Sequence, residues 1–131
     1  GKAFEKFKEL VKKQGGDVSY VEEPEKFEKA KFITPLISNE EGYVEKLDAK
    51  IVGQVCLDLG AGRKTKEDRI DNAVGITLVK KIGDEVNVGD ILAYIHASTA
   101  EDAENGVENL QKAYKIATKK IKKTSVILDI V

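Results

Sequence analysis

The chain has 131 residues, of which 41% are hydrophobic and 34% are charged, and its 22 Lys and Arg against 23 Asp and Glu leave a net charge of −1. This length predicts one compact domain, and the balanced charge argues against partners such as nucleic acid or an anionic membrane. With one cysteine there is no intrachain disulfide, so we expect a cytoplasmic protein.

Methionine is absent from the sequence, even at position 1. Because an unprocessed translation product begins with methionine, we expect residues 1–131 to be a single-domain fragment of a longer polypeptide. Within it we expect an N-terminal helix and connector over residues 1–30 and a core over residues 31–131.

The first predicted element is an amphipathic helix. Its apolar residues alternate with lysines and glutamates at helical spacing, and the run stops at Gly15 and Gly16, where a helix C-cap favours glycine. The apolar face consists of Phe4, Phe7, Leu10 and Val11.

A charged connector and a strand come next. Residues 22–30 contain Pro24 and many charges, which is typical of a connector. Residues 31–38 (KFITPLIS) are rich in β-branched and apolar side chains. They predict a strand, and because Pro35 has no N–H to donate, the strand should lie at a sheet edge or a bulge.

A second strand and a second helix follow. Residues 43–47 predict a short strand, and Asp48 predicts the N-cap of a helix that runs to Gly60, although Gly53 weakens its helix propensity. The apolar face of this helix consists of Val52, Val55, Cys56 and Leu59.

Two strands are predicted between residues 74 and 97. From Val74 the apolar period is two, which indicates a strand over residues 74–79 that runs out through Lys80 and Lys81 to a Gly-Asp turn at residues 83–84. A second Gly-Asp turn at residues 89–90 precedes ILAYIHA. This strand is apolar on both faces and should be central.

The last third predicts a long helix and a final strand. Ser98 and Glu101 have the spacing of a capping box, and SVILDIV over residues 125–131 predicts the strand. The order of elements gives an α/β or α+β domain. The predicted helical stripe consists of Ala103, Val107, Leu110, Tyr114, Ala117 and Ile121, and the lysines expected to complement the helix dipole are Lys119, Lys120, Lys122 and Lys123.

Residues 60–75 (GAGRKTKEDRIDNAVG) are the most unusual stretch, because glycines and cations are concentrated there. They match neither a P-loop nor a dinucleotide fingerprint, since Thr65 stands where a third glycine is required. Residue types alone favour a solvated surface loop.

No catalytic or metal site can be assembled from the reactive side chains. Cys56 lies on an apolar helix face, and the single histidine, His96, is forty residues away on another element. Both are expected to be structural, and no paired carboxylates for acid–base catalysis stand out.

Residues 59–97 nevertheless resemble the C-terminal domain of the pyrimidine-nucleoside phosphorylases, the family that includes thymidine phosphorylase. The resemblance extends from about residue 4 to the end of the chain. Its motifs are LGAGR at 59–63, I-D-x-A-V-G at 70–75, G-D-x-V at 83–86 and I-H-A at 95–97, with FKELVKKQGGD at 7–17 and DAKIVGQVCLDLG at 48–60 before them.

The resemblance implies a parent enzyme, a pentosyltransferase, that converts a pyrimidine nucleoside and phosphate reversibly into the base and a pentose 1-phosphate. In this family the phosphate and base sites lie in the N-terminal part, in a Lys-His-Ser-Thr-Gly-Gly type loop and in residues that have no counterpart here. No catalytic, cofactor-binding or metal residue is therefore carried over, and no cofactor is expected. The implied partners are the N-terminal catalytic domains of the same enzyme, which is a homodimer in this family, whereas the fragment alone should be a monomer without turnover.

The family's C-terminal domain also resembles the biotinyl/lipoyl hammerhead, of which the turn GDEVNVGDIL at residues 83–92 is typical. This implies an α+β fold, an α/β-hammerhead-like mixed sheet with flanking helices. A carrier module is a rival function, but it requires a lysine in a hairpin after the strand, and no lysine follows Ala97 until Lys112. A non-catalytic interaction domain is a further alternative.

In the family the Gly-Ala-Gly-Arg loop extends toward the cleft between domains. The resemblance therefore implies that residues 60–69 help to close the active site. Gly60 and Gly62 would give the loop backbone freedom, and Arg63 and Lys64 would offer cations to the opposite wall or to the phosphate.

Overall fold

A computed structural model describes residues 1–122 of the chain. It is an α+β structure, as expected, in which two helices and two small sheets share one core. The elements are α1 (Lys2–Lys13), α2 (Ser19–Glu22), a 3-10 turn (Pro24–Lys26), β1 (Phe32–Ile37), β2 (Gly42–Leu47), α3 (Ala49–Leu59), β3 (Gly75–Leu78), β4 (Glu85–Val86), β5 (Ile91–Ala97), α4 (Ala100–Gln111) and β6 (Tyr114–Ala117).

The strands form two three-stranded sheets with the orders β1-β5-β3 and β4-β2-β6. Every pairing within residues 1–122 is antiparallel, so the expectation of a mixed sheet is wrong for this part of the chain. The very short β4 was not predicted from the sequence. Its two residues supply too short a pattern to recognise.

Strand β5 is the centre of the first sheet, as its apolar sequence predicts. It pairs with β1 on one side and β3 on the other, and Ile95 at its middle is completely buried. Pro35 lies in β1, which within residues 1–122 pairs only with β5, so the prediction of an edge position is confirmed for this part of the chain.

Helix α3 begins and ends where its sequence signals predict. The Asp48 carboxylate accepts hydrogen bonds from the amides of Lys50 and Ile51, at 3.0 and 3.4 Å. Gly60 ends the helix with a left-handed φ of 102°, a conformation that favours glycine. Val55 and Leu59 are the buried residues of this helix.

Helix α4 lies directly on β5 through a glycine. A Cβ atom placed on Gly106 would lie 2.8 Å from Cγ2 of Ile95, closer than real Cβ atoms approach. Ala103 and Leu110 are buried on the same face of the helix. The absence of a side chain at Gly106 therefore sets how closely α4 approaches the central strand.

The prediction of one long helix to residue 121 is wrong. Helix α4 ends at Gln111, and Tyr114–Ala117 forms β6 against β2. Tyr114 fits the helical spacing, but Tyr114 and Ile116 also have the alternation and side-chain types of a strand. Pairing with the edge of β2 favours the strand over the helix. The lysines at 119, 120 and 122 consequently lie beyond any helix end; Lys123 and the predicted strand at 125–131 lie outside the described residues.

The predicted cap of α4 is displaced by one residue. Thr99, not Ser98, is the N-cap, and its hydroxyl accepts from the amide of Asp102 at 3.1 Å while donating to the Asp102 carboxylate at 2.6 Å. The predicted pairing of Ser98 with Glu101 does not form, and the Ser98 hydroxyl is used elsewhere.

Strand β3 is shorter than predicted. The amides of Val79 and Lys80 both donate to the carbonyl of Leu92, at 2.9 and 3.0 Å, so the regular ladder ends after Leu78. The bend begins before the lysines through which the strand was expected to continue.

The N-terminal helix is confirmed as α1, but its apolar face does not join the core. No residue of α1, α2 or the 3-10 turn is buried. The connector predicted over residues 22–30 contains the 3-10 turn, and the short α2 before it was not predicted. None of the helices among residues 1–122 is long and apolar enough to cross a membrane.

The packing of α4 on β5 leads to a prediction about two helical glycines. Gly106→Ala should lower the free energy of unfolding by about 1 kcal/mol or more, because overlap with the buried Ile95 outweighs the gain in helix propensity. Gly53→Ala in α3 is the control: its Cβ would meet no atom within 4 Å, so it should raise stability by about 0.5–1 kcal/mol. Urea unfolding measures both, and equal stabilisation by the two variants would contradict the proposed contact.

Candidate functional site

The loop between α3 and β3, residues 60–74, contains the glycines and cations that were singled out from the sequence. We call it the α3–β3 loop. Its two ends are joined, because the amide of Asp71 donates to the carbonyl of Gly60 at 3.0 Å. The amide of Ala61 donates to Cys56 at 3.0 Å, which fixes the exit from the helix, and Val74 is buried in the core.

Asp71 fixes the returning end of the loop to the body of the domain. One carboxylate oxygen accepts a 2.6 Å hydrogen bond from the hydroxyl of Ser98, and the other accepts from the amide of Ala73 at 2.9 Å. The hydrogen bond from Ser98 is the main cause that holds the pKa of Asp71 below its usual value. Since Ser98 lies between β5 and α4, the loop is tied to the junction of two core elements.

Asp68 organises the middle of the loop from within. Its carboxylate accepts from the hydroxyl of Thr65 at 2.7 Å and from the amides of Lys64 and Thr65 at 2.8 and 2.9 Å. These hydrogen bonds, with the Thr65 side chain first, lower the pKa of Asp68. The loop therefore has internal structure and is more than a solvated tether.

The two proposed cations of the loop are placed differently. Lys64 turns back toward α3, where its Nζ lies 2.7 Å from Oδ1 of Asp58 and lowers the pKa of that carboxyl. Arg63 is exposed and makes no ion pair or hydrogen bond with any residue in 1–122, and the same is true of Lys66 and Arg69. We call residues 63–69 the tip of the loop. The tip thus presents three cations, Arg63, Lys66 and Arg69, that are unpaired in the described part of the chain.

The two glycines also have different roles. Gly60 requires a positive φ, as expected for a residue that supplies backbone freedom. Gly62 is not in the left-handed region; a Cβ there would lie 3.0 Å from Cδ1 of Leu57, which a small shift of the Leu57 side chain would relieve.

Cys56 and His96 do not form a catalytic pair. Burial is the main cause that raises the pKa of the Cys56 thiol, the opposite of what a nucleophile needs, and the amide of Ile76 is the group hydrogen-bonded to it. Nε2 of His96 lies 3.0 Å from the hydroxyl of Thr77. The two reactive groups therefore have different partners, a backbone amide for Cys56 and a side-chain hydroxyl for His96.

Within residues 1–122, no three His, Cys, Asp or Glu side chains are grouped so that they could hold a metal ion. The residues that sequence reasoning missed are the anchors of the loop, chiefly Asp68, Asp71 and Ser98. The spacing of Thr65 and Asp68 and the Asp-x-Ala segment at 71–73 are the local signals of turn hydrogen bonds, but nothing local indicates the partnership of Asp71 with Ser98, 27 positions later.

A model of the pyrimidine nucleoside phosphorylase C-terminal domain matches residues 43–117. The matched range runs from the start of β2 to the end of β6 and includes the whole α3–β3 loop. The family match therefore covers most of the core, but it does not include α1, α2 or β1.

Three similar relatives are named pyrimidine-nucleoside phosphorylase, from Staphylococcus aureus strains USA300, NCTC 8325 / PS 47 and bovine RF122. Each is 44% identical over 117 residues, which cover 89% of this chain and 27% of the relative. The chain thus spans about a quarter of the length of the curated relatives it matches.

The anchoring of the α3–β3 loop gives a prediction with a pH dependence. Asp71→Ala should speed amide hydrogen exchange across residues 60–74 at neutral pH, because the hydrogen bonds to Ser98 and Ala73 are lost. Glu67→Ala, an exposed acid on the same loop, is the matched control and should leave exchange unchanged.

The pH dependence follows from the lowered pKa of Asp71. A carboxyl with a lowered folded-state pKa stabilises the fold above its ordinary value of 3.8 and loses that effect as the pH falls through the lowered value. The wild type should therefore melt above Asp71→Ala at pH 6, and the gap should close as the pH is taken below 3.8. A gap that is independent of pH would show that the charge on Asp71 is not what anchors the loop.

Proposed function

The chain belongs to the pyrimidine-nucleoside phosphorylase family, and from that premise we propose that it is the C-terminal domain of an enzyme that transfers a pentose from a pyrimidine base to phosphate. The products would be the free base and a pentose 1-phosphate. The proposal is supported by the match over residues 43–117 and by the identity over 89% of the chain.

Within such an enzyme, we assign this domain a role in packing and in active-site closure. Its sequence contains no Lys-His-Ser-Thr-Gly-Gly type segment, so the phosphate and the base would be bound by other parts of the polypeptide. Those parts are the proposed partners, together with a second subunit that they would contact. We expect the compartment to be the cytoplasm, in keeping with the single free cysteine.

The observation that supports the closure role is the contrast between the base of the α3–β3 loop, where the chain enters and leaves it, and the tip. Its base is fixed by Asp71 and Ser98, and its tip presents Arg63, Lys66 and Arg69 without partners in residues 1–122. A loop with a fixed base and an exposed cationic tip is suited to approach an anion held on a facing domain. In this proposal Arg63 contacts the substrate side, while Lys64 stabilises the start of the loop through Asp58.

Closure would serve a definite chemical purpose. Phosphate and water compete for the same anomeric carbon of the pentose, and water is present at a far higher concentration. A loop that excludes water while adding positive charge near phosphate favours phosphorolysis over hydrolysis.

We also propose that the core is related to the biotinyl/lipoyl hammerhead without serving as a carrier. The two Gly-Asp turns at 83–84 and 89–90, one before β4 and one before β5, support the relation to the hammerhead. Against a carrier role, the chain passes from Ala97 at the end of β5 into α4 at Ala100, so the position where a carrier has its modified hairpin is occupied by the start of a helix.

The test is made in the longer polypeptide encoded with this domain. The wild type should phosphorolyse uridine, thymidine or both, and the isolated chain should release no base. Arg63→Ala in the longer polypeptide should lower kcat/KM about tenfold, the cost of roughly one charge-assisted hydrogen bond, and Lys64→Ala should lower it less.

Lys50→Ala is the control, because Lys50 is an exposed cation on α3 away from the loop. It should leave kcat/KM unchanged, and none of the three variants should shift the melting temperature by more than about 2 °C. Unchanged kinetics in Arg63→Ala would remove the closure role. A longer polypeptide without phosphorolysis would remove the proposed reaction.

A further inference from the structure

The N-terminal helices expose an apolar surface that the core of the chain does not cover. Phe4, Phe7 and Leu10 follow one another along α1 and are each about half exposed, at 47%, 50% and 51%. None of them packs on the core, whose earliest residue in the chain is Leu36. An amphipathic helix in a complete domain normally buries this stripe.

Two aromatic residues extend the stripe beyond α1. The rings of Tyr20 and Phe27 lie 5.0 Å apart, and Phe27 is 59% exposed. Phe7 stands between two grooves, one bordered by Leu10 and the other by Tyr20 and Phe27. We call these five side chains, Phe4, Phe7, Leu10, Tyr20 and Phe27, the N-terminal apolar surface.

Most of the charges that border this surface are paired within the helices, and the carboxylate of Asp17 accepts from the amide of Ser19. Glu9 pairs with Lys6 and with Lys13, and the latter pair has an Nζ–Oε1 distance of 2.7 Å. Lys8 lies 3.0 Å from Glu5 and 3.2 Å from Glu22 of α2. A partner therefore does not need to supply opposite charge, and a complementary apolar face is the chemistry that fits.

We propose that the N-terminal apolar surface is a docking site for the part of the same polypeptide that lies outside the matched quarter of its relatives. This inference rests on the proposed function. The relatives are nearly four times as long as the region matched by this chain. A covalently joined partner has a high effective concentration, so a modest interface is enough to keep it docked.

The size of the surface favours this occupant over a second copy of the chain. Five side chains that are about half exposed offer roughly 500 Å² of apolar area, whereas a standard stable interface buries about 800 Å² on each partner. The expectation that the isolated chain is a monomer is kept for this reason. The apolar face of α1 lies outside the core, so this expectation rests on the small area of the surface.

The experiment compares one double variant in two proteins. Phe7→Ala with Leu10→Ala keeps helix propensity and removes the centre of the stripe. In the isolated chain the melting temperature should change by less than about 2 °C, because these side chains are half exposed there. In the longer polypeptide it should fall by about 5 °C or more, because the same side chains are buried at the docked surface.

Val88→Ser is the matched control, since Val88 is exposed and lies on the turn before β5, away from α1. It should shift neither protein. Equal shifts in the two proteins, whether small or large, would overturn the proposal. The proposal would also be overturned if the isolated chain formed a stable dimer that Phe7→Ala with Leu10→Ala abolished. Co-sedimentation of the isolated chain with phosphatidylcholine/phosphatidylserine vesicles, abolished by the same double variant, would overturn it as well.

The result is separable from the proposed function. The melting comparison does not depend on turnover, so a longer polypeptide that shows the selective loss but no phosphorolysis would retain the docking site and remove the reaction. A longer polypeptide that phosphorolyses uridine or thymidine but melts at the same temperature with and without the two side chains would retain the reaction and remove the docking site.

Discussion

The close contact between Gly106 of α4 and Ile95 of β5 is the constraint on which the rest of the structure depends. Because no side chain separates them, the helix lies directly on the strand that joins β1 and β3. The short link between β5 and α4 is thereby fixed, and both of its residues are used: Thr99 caps the helix and Ser98 binds Asp71. The α3–β3 loop is thus positioned by the packing of two elements to which it does not belong.

This arrangement separates the domain into parts with different tasks. The core, formed by α3, α4 and the two sheets, buries one apolar cluster and holds the base of the loop in place. Within residues 1–122, the loop tip exposes unpaired cations and the N-terminal apolar surface exposes apolar area that the core does not cover. Both properties support the proposal that the domain packs against another part of a longer polypeptide, since the chain spans about a quarter of the length of its relatives.

Helix caps and the edge strand were predicted correctly, because each depends on residues that are adjacent in the sequence. Asp48 and Gly60 have the side chain and the backbone freedom that helix caps require, so both ends of α3 are confirmed. Pro35 lacks an N–H, and the edge position that this predicts for β1 is confirmed within residues 1–122. Tyr114 misled because its spacing from Leu110 suits a helix, while the free edge of β2 that recruits it is distant in sequence. The loop was recognised from its glycines and cations, but its anchor depends on Ser98, and no pattern within residues 60–75 contains that information.

We infer that β5 and α4 form the stable centre on which the base of the loop depends, and that α1 lies outside this centre. Native-state hydrogen exchange of the isolated chain tests it most directly, because it reports the opening free energy of each segment. We expect the slowest exchange in β5 and in the buried half of α4, intermediate exchange at Asp71, and fast exchange throughout α1. Protection of α1 equal to that of β5 would contradict it, since the N-terminal helix would then belong to the same cooperative core.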